Sequence, residues 1–176
     1  MSGHILIGMP VPLVRGCIRN KRCYNKSQIF NGPLFNRERK NMRLLLVEDD
    51  PIQLKYLKVL IEDSFPDISV TTSGTYKEAM NIIDTAAYID IFVLDIMLTD
   101  TEDDPDGVSL GVHIKELTKY TNTPVIFITS YESRIYEAVN DVHCYSFIPK
   151  PVDESLLIDT IDSLARQNTK KNDNII

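Results

Sequence analysis

From residue 42 onward, unbroken apolar runs alternate with stretches whose apolar residues recur at helical spacing. The runs are Leu44 to Val47, Ile91 to Leu94 and Val125 to Ile128, with shorter ones at Ile68 to Thr72 and Phe147-Ile148-Pro149. A strand apolar on both faces must be covered by helices on both sides, which predicts a parallel sheet inside two helical layers. Between the runs, Leu54, Leu57, Leu60 and Ile61 mark one helical face, and Pro66 ends it. Asp50 before Pro51, with Gln53 three residues after the cap, predicts the start of that helix. Thr75-Tyr76-Lys77-Glu78 reads as a capping box, and Tyr76, Ala79, Met80 and Ile83 form the core stripe behind it. A third helix is expected over Val108 to Thr118, burying Leu110, Ile114 and Leu117. Tyr131 to Asn140 carries a weaker helical signal, and Asp153 caps a last helix facing inward with Leu157, Ile161, Leu164 and Ala165. Five strand-helix units in this order imply an α/β chain with a doubly wound, five-stranded parallel sheet.

Composition divides the chain unevenly. Its 176 residues are 43% hydrophobic, enough for the core of one domain with residues to spare at the ends. Residues 1–41 hold eight Lys/Arg against Glu38 alone, a charge of +7, and the remainder carries −13. Gly3, Gly8, Pro10, Pro12, Gly16, Gly32 and Pro33 punctuate the basic leader, so no helix or strand is expected to propagate there. A basic arm for lipid, RNA or targeting is one reading of it. The favoured reading is a disordered or artefactual leader, with the domain over 42–168 and a short tail over 169–176.

A domain this acidic is a poor electrostatic partner for nucleic acid, so no direct nucleic-acid binding is expected. Cys17, Cys23 and Cys144 are an odd number without CxxC spacing, which indicates neither a disulfide framework nor a zinc site. Cytoplasmic localisation is the default. No apolar stretch approaches the roughly 20 residues that cross a bilayer, and no secretory signal is evident, so no membrane partner is expected.

The residues that close the strands are more specific than any composition. The first run closes on Glu48-Asp49-Asp50, the third on Asp95, the fourth on Thr129 and the fifth on Lys150-Pro151. In a parallel α/β sheet the carboxyl ends of the strands open on one edge, so these groups gather in one crevice. Any one of them has a duller explanation as a helix cap, a solvated loop residue or a strand-favouring threonine. All four at the ends of strands one, three, four and five are a specific signal. Asp50, spent as a cap, is expected to stand outside any metal site.

This constellation resembles the receiver domain of two-component response regulators, with flavodoxin-like topology, from about Met42 to about Arg166. The resemblance implies that Asp95 is the phosphoacceptor, taking a phosphoryl group from a sensor histidine kinase or a phosphotransfer protein. It implies Mg²⁺ as cofactor, held by Asp49, Asp95 and the backbone carbonyl of Met97, with Glu48 orienting a bound water. A carboxylate approaches a dianionic phosphoryl group only when cations neutralise the charge, so Lys150 and the Thr129 hydroxyl would take phosphoryl oxygens. Thr129 and Phe147 match the family's switch residues, and small Ser130 leaves room for the phosphoryl group. The family's output is a conformational change rather than turnover, read by a partner or a homodimer through helix four, strand five and helix five. The stretches 47–53, 107–114 and 127–130 look most like receivers of LytTR-type regulators.

Two departures qualify the match. Residues 99–107 run about four residues longer than the family pattern and are rich in acids, and only Gln167 to Ile176 follows the last helix. The rival from another class is a haloacid-dehalogenase-like phosphatase, whose aspartyl nucleophile wants a second Asp two residues on. Position 97 is Met. A flavodoxin-like nucleotide binder needs a phosphate loop after strand one, where this chain has acids.

Overall fold

The computed structural model describes residues 41–98 and 105–173, excluding the side chains of residues 132 and 169–173. The basic leader and most of the acidic insertion lie outside that range. Five strands form one sheet: β1 (Met42–Val47), β2 (Ile68–Ser73), β3 (Ile91–Leu94), β4 (Val125–Thr129) and β5 (Ser146–Pro149). All pairings are parallel and the order is β2-β1-β3-β4-β5, the doubly wound arrangement expected from the alternating runs. Register sets the strand ends side by side, with Val47 opposite Leu94 and Thr129 opposite Pro149.

Helices α1 (Pro51–Ser64), α2 (Tyr76–Thr85), α3 (Gly107–Glu116), α4 (Ile135–Asn140) and α5 (Glu154–Asp173) cover the sheet. Leu57 and Ile61 of α1 and Leu157, Ile161 and Leu164 of α5 pack with Leu44, Leu46, Val93 and Ile128 in one layer. Ala79 and Ile83 of α2, Leu110 and Ile114 of α3 and Ala138 of α4 pack with Leu45, Phe92 and Phe127 in the other. Alternate residues of a strand point to opposite faces, which is why Leu44 and Leu45 serve different layers.

The caps read from sequence are present. Asp50 Oδ1 accepts from the amides of Ile52 (2.8 Å) and Gln53 (3.2 Å). Thr75 Oγ1 accepts from Glu78 N at 3.2 Å, and Asp153 Oδ1 accepts from Ser155 N at 2.9 Å. The Glu78 carboxylate reaches back to Gly74 N (2.9 Å), one residue before the position a standard capping box uses.

Four elements differ from expectation in their boundaries. α3 starts at Gly107, because Asp106 supplies the cap by accepting from Ser109 N at 2.8 Å, and it ends at Glu116 with Leu117 as the half-buried cap residue. β4 continues one residue to include Thr129. The expected helix over Tyr131 to Asn140 is split into a 3-10 turn, Glu132–Arg134, and the six-residue α4. Its only buried residue is Ala138, which explains the weak apolar period there. α5 runs past residue 168 to Asp173. Among the described residues, no helix is long and apolar enough to cross a membrane.

Candidate functional site

The carboxyl edge of the sheet brings the acidic and basic strand ends together as their positions imply. The amide of Asp95 donates to Val47 O (2.9 Å), and that of Glu48 donates to Ser73 O (3.1 Å), so ladder bonds carry on past the strands and fix both acids. One carboxylate oxygen from each of Glu48, Asp49 and Asp95 lies within 4.8 Å of the others. Glu48 and Asp95 are buried and Asp49 is exposed. Asp50 stands outside this group, occupied by its cap.

Lys150 enters from β5, its backbone held by donation to Thr129 O at 2.9 Å. Its peptide bond to Pro151 is cis. The ammonium nitrogen lies 2.8 and 3.0 Å from the two oxygens of Glu48 and 2.5 Å from Asp95 Oδ2. Burial weakens the ammonium, yet these carboxylates more than offset it and hold the Lys150 pKa above its ordinary value. Glu48 shows the reverse balance. Its burial, reinforced by the Asp95 charge, outweighs the attraction of Lys150 and lifts its pKa to about 7. The remaining Asp95 oxygen, Oδ1, accepts from Met97 N at 3.2 Å.

The structure therefore adds a role that spacing along the chain did not reveal. Glu48, expected beside a bound water, is also a direct partner of Lys150, and the signal for this was the apolar Leu44 to Val47 run that buries the residue after it. Thr129 is fully buried, and its hydroxyl oxygen accepts from Tyr131 N at 3.1 Å. Ser130 is exposed, and Phe147 is half-buried against the layer that holds α2, α3 and α4. Met97 is half-buried, and Tyr131 is 46% exposed.

Three clustered carboxylates, two of them paired with the half-buried Lys150, fit a hard divalent cation by their oxygen donors and their net negative charge. A groove of about 690 Å³ begins at Pro51, the residue after the Asp50 cap, and is lined by Ile52, Lys55, Tyr56, Val59, Leu60 and Asp63 of α1 and by Glu154 of α5. Ile52 is 80% exposed there, and the Tyr56 hydroxyl is hydrogen-bonded to Glu154.

The family model of the response regulator receiver domain matches residues 44–162. The chain belongs to this family. Among curated proteins it is 30% identical over 136 residues to the transcriptional regulatory protein GlrR of Escherichia coli, covering 76% of this chain and 28% of that one. It is also 30% identical over 130 residues to the transcriptional regulatory protein DltR of Streptococcus agalactiae, covering 73% of this chain and 54% of that one. The chain thus spans between about a quarter and about half of the length of these relatives. Among solved structures, the receiver domain of the Francisella response regulator 1452 superposes with a TM-score of 0.60 at 25% identity, over 73% of this chain and 99% of that one. A CheY-like receiver from Methanospirillum hungatei gives 0.63 at 23%, over 74% and 98%. The protein is a receiver domain of two-component signalling, and its neighbours are signal receivers rather than haloacid-dehalogenase-like phosphatases.

Proposed function

We propose that Asp95 accepts a phosphoryl group from a phosphohistidine donor and that this switches the surface formed by α4, β5 and α5. The observation that carries the reading is the burial of Asp95 at the end of β3, with the Lys150 ammonium 2.5 Å away and the Glu48 and Asp49 carboxylates beside it. Asp49, Asp95 and the Met97 carbonyl would hold Mg²⁺, with Glu48 outside them. A bound divalent cation supplies charge neutralisation at the attacking carboxylate. Lys150 then keeps one cationic partner for the phosphoryl oxygens, and the Thr129 hydroxyl, seated at the neighbouring strand end, donates to another. In this sense the domain catalyses its own phosphorylation and its own dephosphorylation, and its output is a changed surface. Phe147, half-buried beside α4, is the aromatic that would follow the switch.

The donor is a sensor histidine kinase or phosphotransfer protein. The groove along α1 supports this, because it starts two residues after Asp49 and exposes Ile52 and Val59, an apolar face on which a partner helix can seat. Homodimerisation through α4, β5 and α5 and a cytoplasmic location complete the reading. The wording of 47–53, 107–114 and 127–130 supports a LytTR-type receiver. The domain proper begins at Met42 and includes α5, so a chain beginning at Met42 should melt at the same temperature as the full chain, and a melting point several degrees lower would place part of the leader in the fold.

Acetyl phosphate with Mg²⁺ is expected to add one phosphoryl group, detected by intact mass, and Asp95→Asn to abolish it; equal labelling of the variant would refute the assignment. The positions two beyond the acceptor and two beyond the switch hydroxyl border the path of the hydrolytic water in this family, and here they are Met97 and Tyr131, neither a carboxylate nor an amide that would orient it. Met97→Asn with Tyr131→Glu should therefore shorten the phosphoryl lifetime severalfold, and an unchanged decay would leave both residues as mere fillers.

A further inference from the structure

The turn between β4 and α4 is tied to the start of α3 by a single side chain. The Arg134 guanidinium lies 2.8 Å from Asp106 Oδ2 and 2.5 Å from Glu137 Oε2, so it joins the cap of α3 to the first turn of α4. Asp106 divides its oxygens, Oδ1 accepting from Ser109 N and Oδ2 from Arg134. The next residue, Gly107, lies directly on the peptide that follows Asp95. Its amide donates to Ile96 O at 2.7 Å, and a Cβ placed at Gly107 would come within 1.8 Å of Asp95 O. No side chain fits between α3 and that peptide, so a displacement of one displaces the other. At the far end, α4 has no side-chain cap of its own and buries Ala138 alone, so the Arg134 contacts add to a sparse set of restraints on it.

We infer that Arg134 is a positioning residue that couples the backbone of Asp95 to α4 through Asp106 and Gly107, by a route separate from the Thr129 hydroxyl. The inference rests on the proposed phosphorylation of Asp95. A bland surface ion pair would leave the response of α4 to phosphorylation unaltered when removed. A coupling element would not, and its two ends would fail as a unit.

The test records amide chemical shifts of the full chain before and after acetyl phosphate with Mg²⁺, with labelling followed by mass. In the parent, amides of Ile135 to Asn140 are expected to move along with those of Thr129 and Lys150. Arg134→Gln and Asp106→Asn, the latter retaining its cap oxygen, should each reduce the α4 movement at least threefold while Lys150 still shifts fully. The double variant should lose no more than either single, and Arg134→Lys should recover most of the response. Undiminished α4 movement in Arg134→Gln, or losses that add in the double variant, would overturn the coupling. If Asp106→Asn fails to fold, Arg134→Gln against Arg134→Lys decides the same question. Absence of label on the parent would remove the phosphorylation reading itself, and normal label with an unaffected α4 would remove only this one.

Discussion

Helices α2 and α4 pack on the same face of the sheet and are held in very different ways. α2 has ten residues, a capping Thr75 answered by Glu78, and buried Ala79 and Ile83. α4 has six residues, buries Ala138 alone, and leaves Tyr136 76% and Val139 48% exposed. A helix that short has little stability of its own, because nucleation is costly and few bonds follow it. The contrast shows where the fold concentrates its packing and where it leaves an element free to answer a change at the strand ends.

The largest effect expected from this contrast is on packing. Ile83→Ala, which empties a fully buried site in α2, should cost about 2–5 kcal/mol in urea unfolding, whereas Val139→Ala in α4 should stay within about 0.5 kcal/mol. Comparable losses at the two positions would show that α4 is as firmly seated as α2.

The acidic pocket at the strand ends is strained electrically, and the next prediction measures that. Burial first, then the Asp95 charge, lift the pKa of Glu48 from 4.5 to about 7, so between those values the folded chain keeps a proton that the unfolded chain has lost. The stability from this group is full below pH 4.5 and is lost as pH rises through 7. Glu48→Gln mimics the protonated form and should be more stable than the parent by about 1–3 kcal/mol at pH 8 without Mg²⁺, yet equal to it at pH 4. A gap that does not change with pH would contradict this origin. The smallest effect is at a helix end. Thr75→Ala should cost about 1 kcal/mol by removing the α2 cap, while α4 has no equivalent bond to lose.

The sheet was legible because its central strands β1, β3 and β4 are buried on both faces over their apolar runs, which leaves those runs unbroken. Asp49, Asp95, Thr129 and Lys150 could be grouped because parallel strands deliver their carboxyl ends to one edge. The split of α4 was not legible, since a turn of 3-10 helix and a turn of α-helix place the same few apolar residues inward. The Lys150 bridge between Glu48 and Asp95 was legible only in part: the apolar run before Glu48 signals its burial, but not which oxygens the ammonium meets. The Arg134–Asp106 pair joins segments whose proximity only the folded chain discloses.

Among the described residues β5 is an edge strand of the sheet, and its end carries a proline. Lys150 N donates inward to Thr129 O, so alternation turns the backbone nitrogen of Pro149 toward the open side, where proline has no hydrogen to offer. An incoming strand would find its ladder interrupted beside the acidic pocket. Strand addition, the route by which exposed sheet margins seed aggregates, is blunted at that position.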